Sequence, residues 1–529
     1  MVDFMRLLLA SIDADCTEEF MTDAKDEQDR NQQRLEPLRC GLGSGLAHCA
    51  RRCDQESANI IMFRANNYLR LGLMGIVLGL GAFVALGQSS DALLNKLVEK
   101  GILTQDEAKQ LKTESDKNFT TALAAKNGMP EWVTSMKFTG DFRGRYESLA
   151  PENSAALNRE RWRYRLRFGT VVTMKDQFEG GLRLISADVD SGVTTGLSGL
   201  GANQTFQNNG SKKGIFVDQA YGRWMPKFSD SWKASLTFGK MENPFVFGEV
   251  GAGMGLGMDP DYTPEGGALV LEHSFSDVHK MSWINGGFVM DEVAASSDDP
   301  FWFGTQVRID SKWSKRLSTS AGLMWLTFEN TDQLSNGAMP NVDVGNTRYI
   351  PAGTNQANAI PLYQFAPLLA DVSVTYLFDK APLYAGKFPV KVVGSFLYNP
   401  EAASTTDGEG WSLGVGFGRA GKRGTWEVSS CYKWLGADSI WEEVEDDDFG
   451  AYWASVTGRN FGVSNDAPGY YTGTNVRGFV TRFSYSPTDA LTLSLKWYLT
   501  ELIDVPVVAP AVDGESRVHR FQVDAMLRF

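Results

Sequence analysis

Beyond residue 90 the chain has no run approaching the roughly 20 consecutive apolar residues that a transmembrane helix needs, which excludes a helical membrane domain there. Charge is sparse at 22%, yet the mean hydropathy is only −0.23, so the sequence is neither a disordered polyelectrolyte nor a greasy bundle. The net charge of −13 argues against duplex nucleic acid as a partner. Cysteine is almost confined to the N-terminal region, where Cys16, Cys40, Cys49 and Cys53 lie; Cys431 stands alone. Their spacing, even with His48 beside Cys49, is not a paired CxxC set, and neither a metal site nor a cofactor is expected. Past residue 90 the histidines are His273, His279 and His519, none set in a Ser or Asp catalytic pattern, so catalysis is not expected either.

Glycine (54) and aromatics (12%) are plentiful, and the aromatics keep to strand ends and to one parity. The last ten residues show the rule. Phe521, Val523, Ala525, Leu527 and Phe529 share one parity, while Gln522, Asp524 and Arg528 share the other. Alternate side chains of a strand point to opposite faces, so this strand is apolar on one side and largely polar on the other. The same period of two recurs near 135–147, 158–175, 177–189, 214–226, 231–242, 266–274, 279–290, 301–313, 316–329, 367–378, 387–398, 410–419, 424–435, 475–486, 488–499 and 518–529. Short links (Lys175-Asp176, Ser276-Asp277, Ser314-Lys315, Gly421-Lys422, Ser486 to Thr488) alternate with long ones at 190–213, 243–265, 330–366, 436–474 and 500–517. A soluble sandwich has no reason to keep that alternation, whereas a membrane barrel has short turns at one rim and long loops at the other. The expected fold is therefore all-β: a transmembrane antiparallel β-barrel of about 16 strands, within roughly 14–18, preceded by a short N-terminal helical segment.

The region before the barrel divides by composition. Met62, Arg64 and Arg70, the apolar stretch 71–86 and the small-residue site Ala85-Leu86-Gly87 read as an export signal over 62–87. Residues 1–61 then read as a non-native or disordered extension, with translation beginning at Met62. Residues 88–129 read as a periplasmic helix-turn-helix: Leu93, Leu94, Leu97 and Val98 recur at helical spacing, Gly101 ends that helix, and Thr104 with Glu107 makes a capping box for the next. Residues 130–529 are the barrel. About forty residues between signal and barrel are too few for the plug of an energised transporter.

The sharpest constellation is 159–168, with arginine at every odd position from Arg159 to Arg167 and Trp162, Tyr164, Leu166 and Phe168 between them. The preceding strand repeats the scheme with Lys137, Asp141, Arg143 and Arg145 opposite Met136, Phe138, Phe142 and Tyr146. An arginine facing lipid at mid-bilayer costs roughly 2–4 kcal/mol. Several on one strand would exceed the roughly 5–15 kcal/mol that stabilises a typical fold. The arginines must face the lumen, which makes Arg143, Arg145, Arg161, Arg163, Arg165, Arg167, Arg183 and Arg223 the expected basic lining. Charged rings and ladders are how pores select solutes. The long link after the fifth strand carries Glu242-Asn243-Pro244-Phe245, a glycine-rich stretch, and Asp259-Pro260-Asp261-Tyr262-Thr263-Pro264-Glu265-Gly266. A second acidic run, 442–448, reads as part of a solvated external loop.

Taken in order, the helical segment 93–101, the arginine-alternating strand, Gly239-Lys240-Met241-Glu242-Asn243-Pro244-Phe245, the Asp259–Gly266 run and the terminal Phe529 resemble the bacterial outer-membrane porins, more narrowly those with a short helical periplasmic N-terminus. The resemblance implies passive diffusion of small polar solutes or ions, an outer-membrane location in contact with lipid, and a homotrimer. It implies that the third outer loop folds into the lumen, bringing Asp259, Asp261 and Glu265 towards the arginines. It also implies that Phe521, Val523, Leu527 and Phe529 form the closing strand read by the barrel-assembly machinery. A structural outer-membrane anchor and a channel specific for anions or oligosaccharides are the alternatives.

Overall fold

The computed structural model describes Thr104, Glu107, Gln110 and residues 130–529 except 155, 189–199, 295, 335–343, 350, 354–358, 454–460, 464–468 and 506–514. The expected extension (1–61), the export signal (62–87) and most of the helical segment (88–129) lie outside the described residues. Within that segment Thr104 N donates to Glu107 Oε2 at 2.8 Å and Glu107 N donates to Thr104 Oγ1 at 3.3 Å, the reciprocal bonds of a capping box.

Sixteen long strands follow one another: β1 Val133–Pro151, β2 Arg159–Met174, β3 Phe178–Ala187, β4 Gly214–Trp224, β5 Trp232–Lys240, β6 Glu265–Ser274, β7 His279–Val289, β8 Phe301–Ser311, β9 Leu317–Glu329, β10 Leu368–Phe378, β11 Phe388–Tyr398, β12 Glu409–Gly418, β13 Thr425–Leu435, β14 Val476–Ser486, β15 Leu491–Leu502 and β16 Val518–Arg528. Each pairs antiparallel with its successor. β16 returns to β1 in the register Asp141↔Arg528 to Pro151↔Val518, so the sheet closes and no long strand is left with a free edge. No helix among the described residues is long and apolar enough to cross a membrane.

The faces are inverted relative to a soluble sheet. On β16, Arg520, Gln522 and Asp524 are buried while Phe521, Val523 and Leu527 are exposed; on β2, Arg165 is buried while Trp162, Leu166 and Phe168 are exposed. Cross-strand ring pairs on the outer face, Phe138 with Phe168 (6.1 Å) and Phe142 with Tyr164 (6.3 Å), make a continuous apolar band. Closure ends on Phe529, whose N–H donates to Gly140 O at 3.0 Å and whose carbonyl accepts from Gly140 N at 2.9 Å. A Cβ on Gly140 would collide with the Phe529 ring, which explains a glycine between Phe138 and Phe142 on the outward parity.

Two strands differ in extent from their sequence patterns. β1 runs four residues further than the expected 147, to Pro151. The strand expected at 488–499 runs Leu491–Leu502, because the link continues past Pro487: Leu491 N donates to Thr488 Oγ1 (3.0 Å) and Asp489 accepts from Arg423 N (2.9 Å). At the tight β2–β3 link, Asp176 and Gln177 both have positive φ (62° and 70°), as a type I′ hairpin requires.

Three long connections turn inward and share one apolar core with the inner face of β6 to β15. Phe245, Met254, Leu256 and Met258 from 241–264, Leu334 and Phe365 from 330–367, and Trp441, Val444 and Phe449 from 436–475 join Ile284, Phe288, Trp302, Leu326 and Phe328 of the wall. Trp302, fully buried, lies 4.4 Å from the Phe288 ring and 5.9 Å from Phe245. The acidic run 442–448 is part of this packing and not a solvated external loop: Glu442, Glu443, Glu445, Asp446 and Asp448 are all buried. The reason is pairing, since Arg348 is ion-paired to Glu442, and Asn346 Nδ2 donates to Ile440 O at 2.9 Å.

Candidate functional site

β1 and β2 face each other in a register that sets Arg143 opposite Arg165, Arg145 opposite Arg163, Glu147 opposite Arg161 and Asp141 opposite Arg167. Like charges directly opposite are destabilising, so the wall requires acids at close range. Two come from within it: Arg161 is ion-paired to Glu147, and Arg167 Nε reaches Asp141 Oδ2 at 2.8 Å. Asp524 of β16 takes a two-pronged contact from Arg145, with Nε to Oδ1 at 2.7 Å and Nη2 to Oδ2 at 2.9 Å.

The inward connections supply the rest. Asp261 accepts from Arg165 Nη1 (2.5 Å) and Arg167 Nη1 (3.3 Å). Asp448 accepts from Arg520 Nη2 (2.5 Å), Gln522 Nε2 (2.8 Å) and Arg145 Nη1 (3.2 Å), which makes it the hub of the constellation. Arg520 also reaches Glu147 Oε2 at 2.7 Å and stacks on Tyr470, its guanidinium carbon 5.1 Å from the ring centre.

These partners divide the loop acids into two groups. Burial opposes ionisation of Asp261, but Arg165, Arg167 and Arg143 outweigh it and hold the carboxyl below its usual range. Burial likewise opposes ionisation of Asp448, and Arg520 with Arg145 hold it well below. Asp259 is pushed well above its usual value by burial and then by Asp447, Asp261 and Asp446; burial and the neighbouring Asp448 and Asp446 push Asp447 up to about 7.

Among the described residues, three of the lining arginines, Arg143, Arg163 and Arg165, have a buried Nε without an acceptor. Arg143 has one hydrogen bond, Nη2 to Asn203 Oδ1 at 2.5 Å, and its buried Nε has no acceptor. Arg163 makes a long contact to Asn203 O (3.4 Å) and lies 3.8 Å from Glu147, with its Nε also without an acceptor.

Of the basic residues singled out from sequence, Arg143, Arg145, Arg161, Arg163, Arg165 and Arg167 come together here. Arg183 and Arg223 lie further round the wall, paired with Asp218 and with Glu179 (3.1 Å). Of the loop acids, Asp261 joins the ladder. Asp259 instead accepts from Asp447 N (2.9 Å) and Asp261 N (2.5 Å). Glu265 stands at the start of β6 on the outward parity shared with exposed Leu269, bound to Lys240 at 2.9 Å. Phe521, Val523, Leu527 and Phe529 lie exposed on the outer face.

Sequence reasoning missed Glu147, Arg520 and Asp448. Glu147 and Arg520 share the inward parity of the ladder and could have been found by extending the alternation along β1 and β16. Asp448 is 303 residues from Arg145 in sequence, and no local pattern joins them.

Among known proteins, a family model described as "Putative porin" matches residues 148–349. No curated protein matches the chain. Among solved structures, OprB of Pseudomonas putida is 11% identical, aligned over 74% of this chain and 94% of its own, with a TM-score of 0.43. A triple mutant of Rhodopseudomonas blastica porin is 9% identical, aligned over 75% of this chain and 100% of its own, with a TM-score of 0.35. The matched segment runs from the end of β1 to the short strand Val344–Tyr349, and so contains the arginine strand and the inward acidic connection: over residues 148–349 the chain is similar to the family described as "Putative porin".

Proposed function

We propose that the protein is an outer-membrane porin through which small polar solutes or ions diffuse passively, past an arginine-lined wall faced by acids from two inward loops. The family match and the closed sixteen-strand barrel support a channel in the bacterial outer membrane. The observation that carries the finer reading is the arginine ladder set against Asp261 and Asp448. Opposed charges across a constriction create a transverse field in which polar solutes align, while apolar solutes must displace ordered water. The apolar core shared by the three inward loops favours a narrow, selective path over a wide one.

Planar-bilayer recording of the purified protein tests this. Stable ohmic steps are expected, and silence would favour a structural anchor. Neutralising both Arg163 and Arg165 with glutamine is expected to move the reversal potential towards cations, since Asp261 then loses its Arg165 partner. An unchanged reversal potential would remove the ladder from the solute path.

A further inference from the structure

Asp259, Asp261, Asp446, Asp447 and Asp448 reach the same region from two separate connections, and arginine neutralises only two of them. Asp261 is held by Arg165 and Arg167, and Asp448 by Arg520 and Arg145. Among the described residues, Asp259, Asp446 and Asp447 have no basic group within 4.0 Å, yet one carboxylate oxygen from each lies within 4.8 Å of the others. Two ligands on opposite sides of an ion at about 2.4 Å are at most about 4.8 Å apart, so this spacing suits a single calcium. Asp446 is only 7% exposed; its Oδ1 accepts from Asp448 N (2.9 Å), while its buried Oδ2 has no hydrogen-bond donor among the described residues. A buried carboxylate oxygen without a donor is costly, and a cation relieves that cost as a hydrogen bond would. The backbone already clamps the two connections here, through Asp259 N to Val444 O (2.8 Å) and Asp447 N to Asp259 Oδ2 (2.9 Å), so the oxygens are pre-positioned.

We propose that Asp259, Asp446 and Asp447 form a divalent-cation site, with calcium the fitting ion, that pins connection 241–264 to connection 436–475. The donor set is oxygen only, which suits a hard cation and disfavours zinc. Three carboxylates give three to six of the six to eight oxygens that calcium takes, and water or backbone carbonyls complete the shell. Magnesium demands a tighter octahedron and gives up its waters reluctantly, so it should bind more weakly.

The test is calorimetric titration of calcium chloride into the full chain in detergent, after chelator treatment and dialysis at neutral pH. The expected result is one saturable calcium per chain, at least tenfold weaker binding in both Asp447→Asn and Asp446→Asn, and a calcium-dependent rise in unfolding temperature that both variants lose. Magnesium at equal concentration should compete poorly. No saturable binding to the unsubstituted protein, or undiminished binding in both variants, overturns the site and leaves the triad sharing protons instead. The measurement does not depend on conduction, so a barrel that binds calcium but carries no current would count against the pore and not against the site.

Discussion

The inner wall of the barrel is two different surfaces. Across β16, β1 and β2 it presents Arg520, Asp524, Arg143, Arg145, Glu147, Arg163 and Arg165; across β7, β8 and β9 it presents Ile284, Phe288, Trp302, Met324, Leu326 and Phe328. Connections 241–264 and 436–475 each carry both chemistries, and 330–367 adds Leu334 and Phe365 to the apolar side. Phe245 meets Trp302 while Asp261 meets Arg165, and Trp441 meets Phe365 while Asp448 meets Arg520. The apolar half supplies most of the energy that holds the loops inside, because each buried large side chain contributes roughly 1.5–3 kcal/mol. The charged half fixes their register, because a guanidinium donates well only to a correctly oriented carboxylate.

The largest effect that separates the two halves should come from Trp302→Ala. It removes a fully buried indole whose Nε1 donates to Tyr262 O–H at 3.2 Å, so it both opens a cavity and frees the residue beside Asp261. A loss of about 3–5 kcal/mol is expected. In bilayers the same variant should show larger and noisier conductance as 241–264 leaves its seat. A stable, quiet channel in this variant would mean that the charged half alone holds the connection.

Next comes Asp448→Asn, which keeps the side-chain shape but removes the charge shared by Arg145, Arg520 and Gln522. A cost of about 1.5–3 kcal/mol is expected, the range for hydrogen bonds to charged groups. Selectivity should move towards anions, because the ladder loses an acid. Equal destabilisation without any selectivity change would show that Asp448 is structural and outside the solute path.

How far the sequence speaks for each half follows from the same contrast. The sixteen strands and their turns were legible because the alternation is local: Arg163 and Trp162 are neighbours, and lipid and water sort them without reference to anything distant. The apolar half left a signal too. In β7 both Trp283 and Ile284 are apolar, and in β9 both Trp325 and Leu326, so those strands have two apolar faces where a water-filled lumen needs one. That pattern states that something covers the inner wall without saying what. The fate of 442–448 was not legible, because seven mostly acidic residues read as solvated until Arg348, Arg145 and Arg520 are brought to them by a closed barrel.

A smaller effect should come from pH, and it separates the halves by sign. Burial, reinforced by Asp446, raises Glu249 to about 7, against the pull of Lys433 and Lys391. Burial and Asp446 raise Glu445 to about 7 as well, again against Lys433, whose Nζ lies 4.0 Å from Glu445 Oε2. A carboxyl whose folded pKa is raised contributes stability that is full below its ordinary value of 4.5 and is lost as pH rises through about 7. The loops should therefore sit more firmly in mild acid than in mild alkali, with fewer conductance fluctuations. The double variant Glu249→Gln, Glu445→Gln should weaken that dependence, leaving the part due to Asp447 and Asp259, which burial and neighbouring acids also raise. Asp448, held well below its usual range, should add nothing until strongly acid conditions.

The smallest effect is expected four residues from Asp261, at Glu265. The two acids stand in one short motif but part company at the start of the strand: Asp261, in the connection, points to Arg165 and Arg167, while Glu265 opens β6 on the outward parity with Lys240 as its ion-pair partner. Its side chain is 65% exposed, and an exposed pair of that kind is worth about 0–1 kcal/mol. Glu265→Gln should leave unfolding temperature and reversal potential unchanged within error, whereas Asp261→Asn should shift the reversal potential towards anions. If Glu265→Gln shifts selectivity as strongly as Asp261→Asn does, the field reaching the solute is set by the rim of the barrel, and the charged half of the inner wall loses its claim to be the filter.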